Sequence, residues 1–291
     1  MAVDKVSAPA VPAPAMLRAT GELARTAFGV LRAIVEEPFY RLYLRRLRAQ
    51  ATTWQKPRHL GIIMDGNRRF ARVSGLPTVL VGHRFGADKL EEVLGWCRDV
   101  GINVVTVWCF SIENFQRSKE EVEGLLSLFE SKTREMAEGE QVHREEIRVR
   151  FIGKLELLPE GLRREIARVE EATRDYRRFE LNIAMAYGGR EEITDAVRRW
   201  LEDGLAQGAD PAALAANLTA EQLDPHLYTS GQPEPDLIVR TSGEIRSSGF
   251  LLWQSAYSEF YFCDTNWPAF REIDFLRALR SFNDRQRRFG V

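Results

Sequence analysis

The spacing of apolar residues changes character near Trp54. Before that point it is helical: Leu23, Ala27, Phe28, Leu31 and Ile34 fall on one face, with Arg18, Arg25 and Arg32 seven apart on another. Pro38 suits the first turn of a second helix, which carries apolar Phe39, Leu42, Tyr43 and Leu47 beside basic Arg41, Arg45, Arg46 and Arg48. Residues 1–15, rich in Ala and Pro, are expected to form a disordered arm, and 16–53 an amphipathic helical extension. The extension is expected to pack on its own domain or on a partner subunit; the alternative is a helix lying on a membrane surface.

Beyond Trp54 the pattern alternates. Short apolar runs at 59–64, 103–110, 148–152, 180–186, 237–240 and 260–262 predict strands. Amphipathic stretches lie between them, one marked by Leu90, Val93, Leu94 and Cys97, another by Val122, Leu125, Leu126, Phe129 and Met136. This rhythm predicts an α/β fold with a mostly parallel central sheet flanked by helices, forming one domain over 54–291. In such sheets ligands bind beyond the carboxyl ends of the strands, so those ends are where chemistry should be sought.

Three of the strand ends share a composition. The first yields Asp65, Gly66, Asn67, Arg68 and Arg69; the second Ser111, Glu113, Asn114 and Arg117; the fifth Arg240, Ser242, Glu244, Arg246 and Ser248. Each mixes arginine with small hydroxyl or amide donors and a carboxylate. Gly66 would let backbone approach a ligand, Arg69 and Arg72 would add charge-assisted bonds to phosphate oxygens, and Asp65 offers hard oxygen to Mg²⁺ bridging to a diphosphate. A lone Asp-Gly-Asn would be read as a helix cap. Three arginine-bearing ends on one sheet favour an anion-binding rim with a metal ligand, and two basic pockets suggest two anionic substrates. His83, near this cluster in sequence, could donate to a diphosphate as readily as serve the core.

Composition sharpens this by exclusion. With 41 Lys and Arg against 42 Asp and Glu, no overall attraction to nucleic acid is indicated, and anion binding must be local. Cys97, Cys109 and Cys263 lack CxxC spacing and sit in apolar segments, as reduced thiols of a cytoplasmic protein would. His59, His143 and His226 lack zinc-site spacing, and neither a P-loop nor a G-x-G-x-x-G motif occurs. No apolar run reaches the length of a membrane span, and the first residues do not read as a signal peptide.

Five segments taken together, "HLGIIMDGNRRFAR", "FSIENFQR", "LNIAMAYGGREEI", "DLIVRTSGEIRSSGFLLWQSAYSEFYF" and the terminal "RRFG", resemble the signatures of the cis-prenyltransferases, or Z-isoprenyl diphosphate synthases, which include undecaprenyl diphosphate synthase. The resemblance spans about residues 57–290 and is nearest to the short-chain branch found in actinobacteria. It implies a catalytic domain of undecaprenyl diphosphate synthase-like fold over 54–291. It also implies condensation of an allylic prenyl diphosphate with isopentenyl diphosphate, a new Z double bond, Mg²⁺ dependence and a homodimer in the cytoplasm, with residues 16–48 as a candidate peripheral membrane contact.

By the same resemblance Asp65 would be the magnesium-linked aspartate, assisted by Glu259. Gly66, Asn67, Arg68, Arg69, Phe70, His83 and Arg117 would hold the allylic diphosphate, and Asn114 would flank the reacting atoms. Arg240, Arg246 and Ser248 would hold isopentenyl diphosphate, with Arg288 and Gly290 reaching a diphosphate across the dimer. Thr78 and Val79 stand where long-chain relatives usually place an arginine, and Arg68 replaces a common glycine. Cys109 is intermediate in size between the residues of long- and short-chain relatives, which marks it as a chain-length candidate and leans the product to short or medium. Rival readings are a head-to-middle or cyclising synthase on the same scaffold, and a non-catalytic accessory subunit.

Overall fold

The computed structural model describes residues 38–285. They fall into two compact units, one ending at Gln50 and one beginning at Ala51. Residues 38–51 form a helix, α1, whose last residue falls in the second unit. Its Leu47 is buried, while Phe39 and Leu42 are 69% and 67% exposed. The expected arm over 1–15 and the helix over 16–34 lie outside the described residues.

The second unit runs β1 (His59–Ile63), α2 (Asn67–Val73), α3 (Val79–Val100), β2 (Val104–Ser111), α4 (Lys119–Glu138), α5 (Glu140–Arg144), β3 (Ile147–Ile152), α6 (Glu160–Thr173), β4 (Phe179–Tyr187), α7 (Gly189–Ala206), α8 (Pro211–Asn217), α9 (Ala220–Leu223), β5 (Leu237–Arg240), β6 (Glu259–Phe262) and α10 (Glu272–Asp284). The six strands form one sheet in the order β3-β4-β2-β1-β5-β6, and every neighbouring pair is parallel. Each predicted strand is present within a residue or two of its expected bounds.

β1 and β5 are buried along their whole length and β4 nearly so, as parallel strands covered on both faces should be. Along β4, Leu181, Ile183 and Met185 face a cavity beside α3 and α4. Ala184 and Tyr187 join the opposite core with Ile63, Ile238, Phe250 and Leu251. The free edge of β3 is closed by α6: Val149 N–H donates to Thr173 Oγ1 (3.1 Å) and Phe151 N–H to Glu170 Oε1 (2.6 Å). Side chains thereby satisfy the amides that an edge strand would offer to another chain.

The order of connections positions the site. From β1 the chain moves to β2 on one side, and β5 later occupies the other side of β1. The carboxyl ends of β1, β2 and β5 therefore bound a crevice at the point where the winding reverses. α2 is held in this crevice by close packing on α3. A Cβ on Gly82 would come within 2.5 Å of Asn67 O, and one on Gly86 within 2.1 Å of Asn67 Oδ1. Two glycines four apart on α3 thus form the flat surface against which α2 lies.

Candidate functional site

At this crevice the loop after β1 turns through Gly66, whose φ of 99° is left-handed and whose missing Cβ would stand 2.5 Å from Asn266 Oδ1. Any other residue would be strained there and would push the turn outward. The turn delivers Asp65, Gly66, Asn67, Arg68, Arg69 and Arg72 to a basin of about 420 Å³. The end of β2 and the turn after it add Ser111, Asn114 and Arg117, α3 adds His83, and the end of β5 with the segment after it adds Arg240, Ser242 and Ser248. The three arginine-bearing strand ends therefore converge, although the chain separates them widely.

Arg240 anchors the basin. Its side chain is 5% exposed, and it donates to Asp65 Oδ2 (2.8 Å), Ser248 Oγ (2.7 Å) and the carbonyl of Arg246 (2.7 Å). Arg69 donates to the carbonyl and hydroxyl of Ser242 at 2.6 and 2.8 Å, tying α2 to the same segment. Ser242 and Ser248 both adopt positive φ, 77° and 53°. Non-glycine residues pay for that conformation, and such strain gathers where a loop is shaped for a ligand. Behind this loop, Leu251 N–H donates to Tyr187 Oη, Tyr187 donates to the buried Glu192, and Gln254 donates to the same carboxylate. Burial pushes the Glu192 carboxyl above its ordinary range.

His83 lies within the basin wall. Burial first, then Arg117 and Arg68, lower its pKa to about 4, so the ring is neutral near pH 7. Burial also leads the lowering of the Arg117 guanidinium, which Glu121 counters. Several buried polar atoms here, Asn67 Oδ1, His83 Nε2, Arg240 Nε and Trp108 Nε1, have no hydrogen-bond partner. Their residues all line the basin, where a polar ligand would supply what the protein lacks.

An apolar cavity of about 230 Å³ opens from the basin. Met64, Asn67, His83, Trp108 and Cys109 border both spaces. From there the cavity runs between the sheet and the helices α3 and α4, past Leu94, Phe129, Leu181 and Ile183, to Glu91, Lys132 and Glu135. Burial raises the Cys109 thiol to about 12, so it remains neutral and presents an apolar wall at the junction. Sequence reasoning missed Trp108 and the cavity residues on β4. Their signal was available in the two-residue alternation of β4, which is muted because both faces are apolar.

The structure places several of the expected residues away from the basin. Phe70 does not line the basin; it packs edge-on against Phe85 (6.0 Å), because at about 100° per residue it projects away from Arg68, Arg69 and Arg72. The Arg246 side chain is 61% exposed and pairs with Glu244 (2.5 Å), so its carbonyl, not its guanidinium, touches the basin residues. Glu259 does not line the basin with Asp65 of the same chain. It begins β6 level with Leu237 and Leu60, three residues before β1 ends and so toward the opposite end of the strands from Asp65, and is bound by Arg285. Thr78 caps α3 by accepting from Val81 N–H (3.4 Å), and neither it nor Val79 lines the basin. Arg288 and Gly290 lie outside the described residues.

Asp65 is the sole carboxylate among the described residues lining the basin, and no group of three acidic, His or Cys side chains forms an all-protein metal cage. Mg²⁺ characteristically takes one or two carboxylates and completes its shell with water and phosphate oxygens. A single carboxylate, 37% exposed at the mouth of a basic basin, fits that use.

Residues 63–290 match the Prenyltransf family model, described as undecaprenyl diphosphate synthase. An isoprenyl transferase of Thermus thermophilus is 55% identical over 88% of this chain and 97% of its own length. A (2Z,6E)-farnesyl diphosphate synthase of Thermobifida fusca is 50% identical over 87% of this chain and 97% of its own. Among solved structures, lavandulyl diphosphate synthase of Lavandula x intermedia in complex with dimethylallyl diphosphate superposes with a TM-score of 0.73 at 34% identity, covering 83% of this chain and all of that one.

Proposed function

Because the chain belongs to the undecaprenyl diphosphate synthase family of cis-prenyltransferases, we propose that it condenses isopentenyl diphosphate with an allylic prenyl diphosphate to form a Z-configured prenyl diphosphate of short to medium length. One observation carries the reading: a basic basin joins an apolar cavity through five shared residues, which is the shape of a molecule with a diphosphate head and a hydrocarbon tail.

In this reading Arg68, Arg69 and Arg117 receive the allylic diphosphate while its chain enters the cavity past Trp108 and Cys109. Arg240 and Ser248 receive isopentenyl diphosphate on the other side of Asp65. Departure of the allylic diphosphate builds negative charge on its oxygens, and arginines already fixed by hydrogen bonds stabilise that charge without reorganising. Asn114 holds the turn after β2 by accepting from Ser111 N–H (3.2 Å), keeping Arg117 against the basin. Magnesium, for which Asp65 is the ligand this chain offers, would add neutralisation of the leaving group. The two substrates then lie side by side, so that the double bond of one reaches the allylic carbon of the other, and loss of a proton completes the product.

The proposal includes a homodimer, to which residues 288–290 contribute, and contact of the N-terminal extension with an anionic membrane surface. Exposed Phe39 and Leu42 beside Arg45 and Arg46 on α1 support that contact. Among the described residues no helix is long and apolar enough to cross a membrane.

The test is incubation with Mg²⁺, labelled isopentenyl diphosphate and dimethylallyl, geranyl or farnesyl diphosphate, with products identified by mass and double-bond geometry. Z-configured elongation is expected, reduced at least about 100-fold in Asp65→Ala. Branched or cyclic products would favour the head-to-middle or cyclising alternative, no turnover would favour an accessory subunit, and undiminished turnover in the variant would remove Asp65 from the site.

A further inference from the structure

Three basic groups of the basin wall come from three different segments: Arg68 from α2, His83 from α3, and Arg117 from the turn before α4. The two guanidinium groups would repel one another, and both disfavour a charge on His83, whose ring is neutral near pH 7; Arg68 also depresses Arg117. All three converge on one oxygen. Glu121 Oε1 lies 3.1 Å from Arg117 Nη1, 3.5 Å from Arg68 Nε and 4.0 Å from His83 Nε2.

Glu121 itself is well fixed. It sits in the first turn of α4, its N–H donates to Ser118 Oγ (3.4 Å), and its side chain is 10% exposed. It does not line the basin, whereas the three groups it gathers do. The carboxylate therefore stands behind the wall and leaves the front of each basic group to a ligand. Mutual repulsion that would otherwise splay Arg68 and Arg117 is offset by a single buried charge.

We infer that Glu121 is a positioning residue that assembles the allylic-diphosphate wall from three separate segments. The inference rests on the proposed function for the identity of the ligand, but the assembly of the wall is a property of the protein alone. Removing the charge while keeping the shape should loosen the wall toward diphosphate. It should leave the isopentenyl side, built on Arg240 and Ser248, unaffected.

The experiment compares wild type with Glu121→Gln in the full-length protein. Expected for the variant are a KM for the allylic diphosphate raised about tenfold, the scale of one lost charge-assisted contact, and a KM for isopentenyl diphosphate within about twofold of wild type. Calorimetric titration with inorganic pyrophosphate should show the same weakening. Glu123→Gln, on an exposed carboxylate of α4 that pairs with Lys119, should change neither quantity. If Glu121→Gln fails to fold, Glu121→Asp makes the comparison, since it keeps the charge but not the reach; a smaller rise of the same kind is then expected.

An unchanged allylic KM, or equal changes in both KM values, would overturn the inference. So would tighter pyrophosphate binding, which would make Glu121 a competitor for phosphate. If wild type shows no turnover at all, the proposed function fails, and the pyrophosphate titration still decides the role of Glu121.

Discussion

Burial in the sheet holds His59 neutral, with a pKa lowered to about 4. Its Nδ1 lies 2.7 Å from the carbonyl of Pro233, which can only accept, so Nδ1 carries the proton and Nε2 accepts from Thr106 Oγ1 (2.7 Å). Thr106 in turn accepts from Asn182 (2.9 Å), so β1, β2 and β4 are linked by one buried polar chain. Protonation would make Nε2 a second donor, so the Thr106 hydroxyl could no longer donate to the ring and would have to accept from it, beside the buried charge. The unfolded chain takes up that proton near pH 6.5 and the folded chain only near 4. This contribution is therefore intact above pH 6.5 and is lost as pH falls toward 4, amounting to about 3 kcal/mol. Urea unfolding at several pH values should show the decline, and His59→Asn should make it shallower while leaving the share of His83, whose pKa is lowered in the same way; an unchanged slope would contradict the assignment. At this scale the sequence was readable where chemistry is unusual. Asp65, Arg68, Arg69, His83, Asn114, Arg117, Arg240 and Ser248 do meet in one basin. Phe70, Arg246 and Glu259 do not, because the direction of a side chain depends on helix phase, a loop pairing and strand register, none of which a motif records.

Elements were legible where their apolar period is strong. All six strands were predicted, as were the apolar faces of α3 and α4. The short helices α8 and α9 bury only Leu223 between them, so no apolar stripe announced them. The packing of α2 on α3 was also hidden, since glycines inside a helix pattern do not say what approaches them. It has a measurable consequence. In Gly86→Ala the new methyl would meet Asn67 Oδ1 at 2.1 Å and the Trp267 ring at 3.0 Å. A loss of about 1–3 kcal/mol in chemical denaturation is expected, together with a raised KM for the allylic substrate, whose basin α2 carries. Full stability and an unaltered KM would show that α2 can move away without cost to the site.

Across the whole molecule, a net charge of −1 conceals a sharp division of labour. Positive charge is concentrated where three strands end, and the neighbouring cavity is apolar until it reaches Glu91, Lys132 and Glu135. Composition pointed to local anion binding, and the strand ends located it. The resemblance marked Cys109 at the start of this space, but the rest of the lining was not legible, because a hollow between a sheet and two helices depends on side-chain volumes across four elements. Cys109 stands where that hollow begins, so bulk at this position should limit the chain that can enter. Cys109→Leu is expected to shift the product distribution toward shorter chains by mass spectrometry, and an unchanged distribution would place the length control deeper in the cavity.

The joined basin and cavity are tested most directly by a crystal structure with an unreactive allylic thiolodiphosphate and Mg²⁺. The diphosphate is expected among Arg68, Arg69 and Arg117, the ion on Asp65, and the prenyl chain running past Trp108 and Cys109 between the sheet and α3 and α4. A prenyl chain lying outside that cavity, or a diphosphate bound away from Asp65, would contradict that expectation.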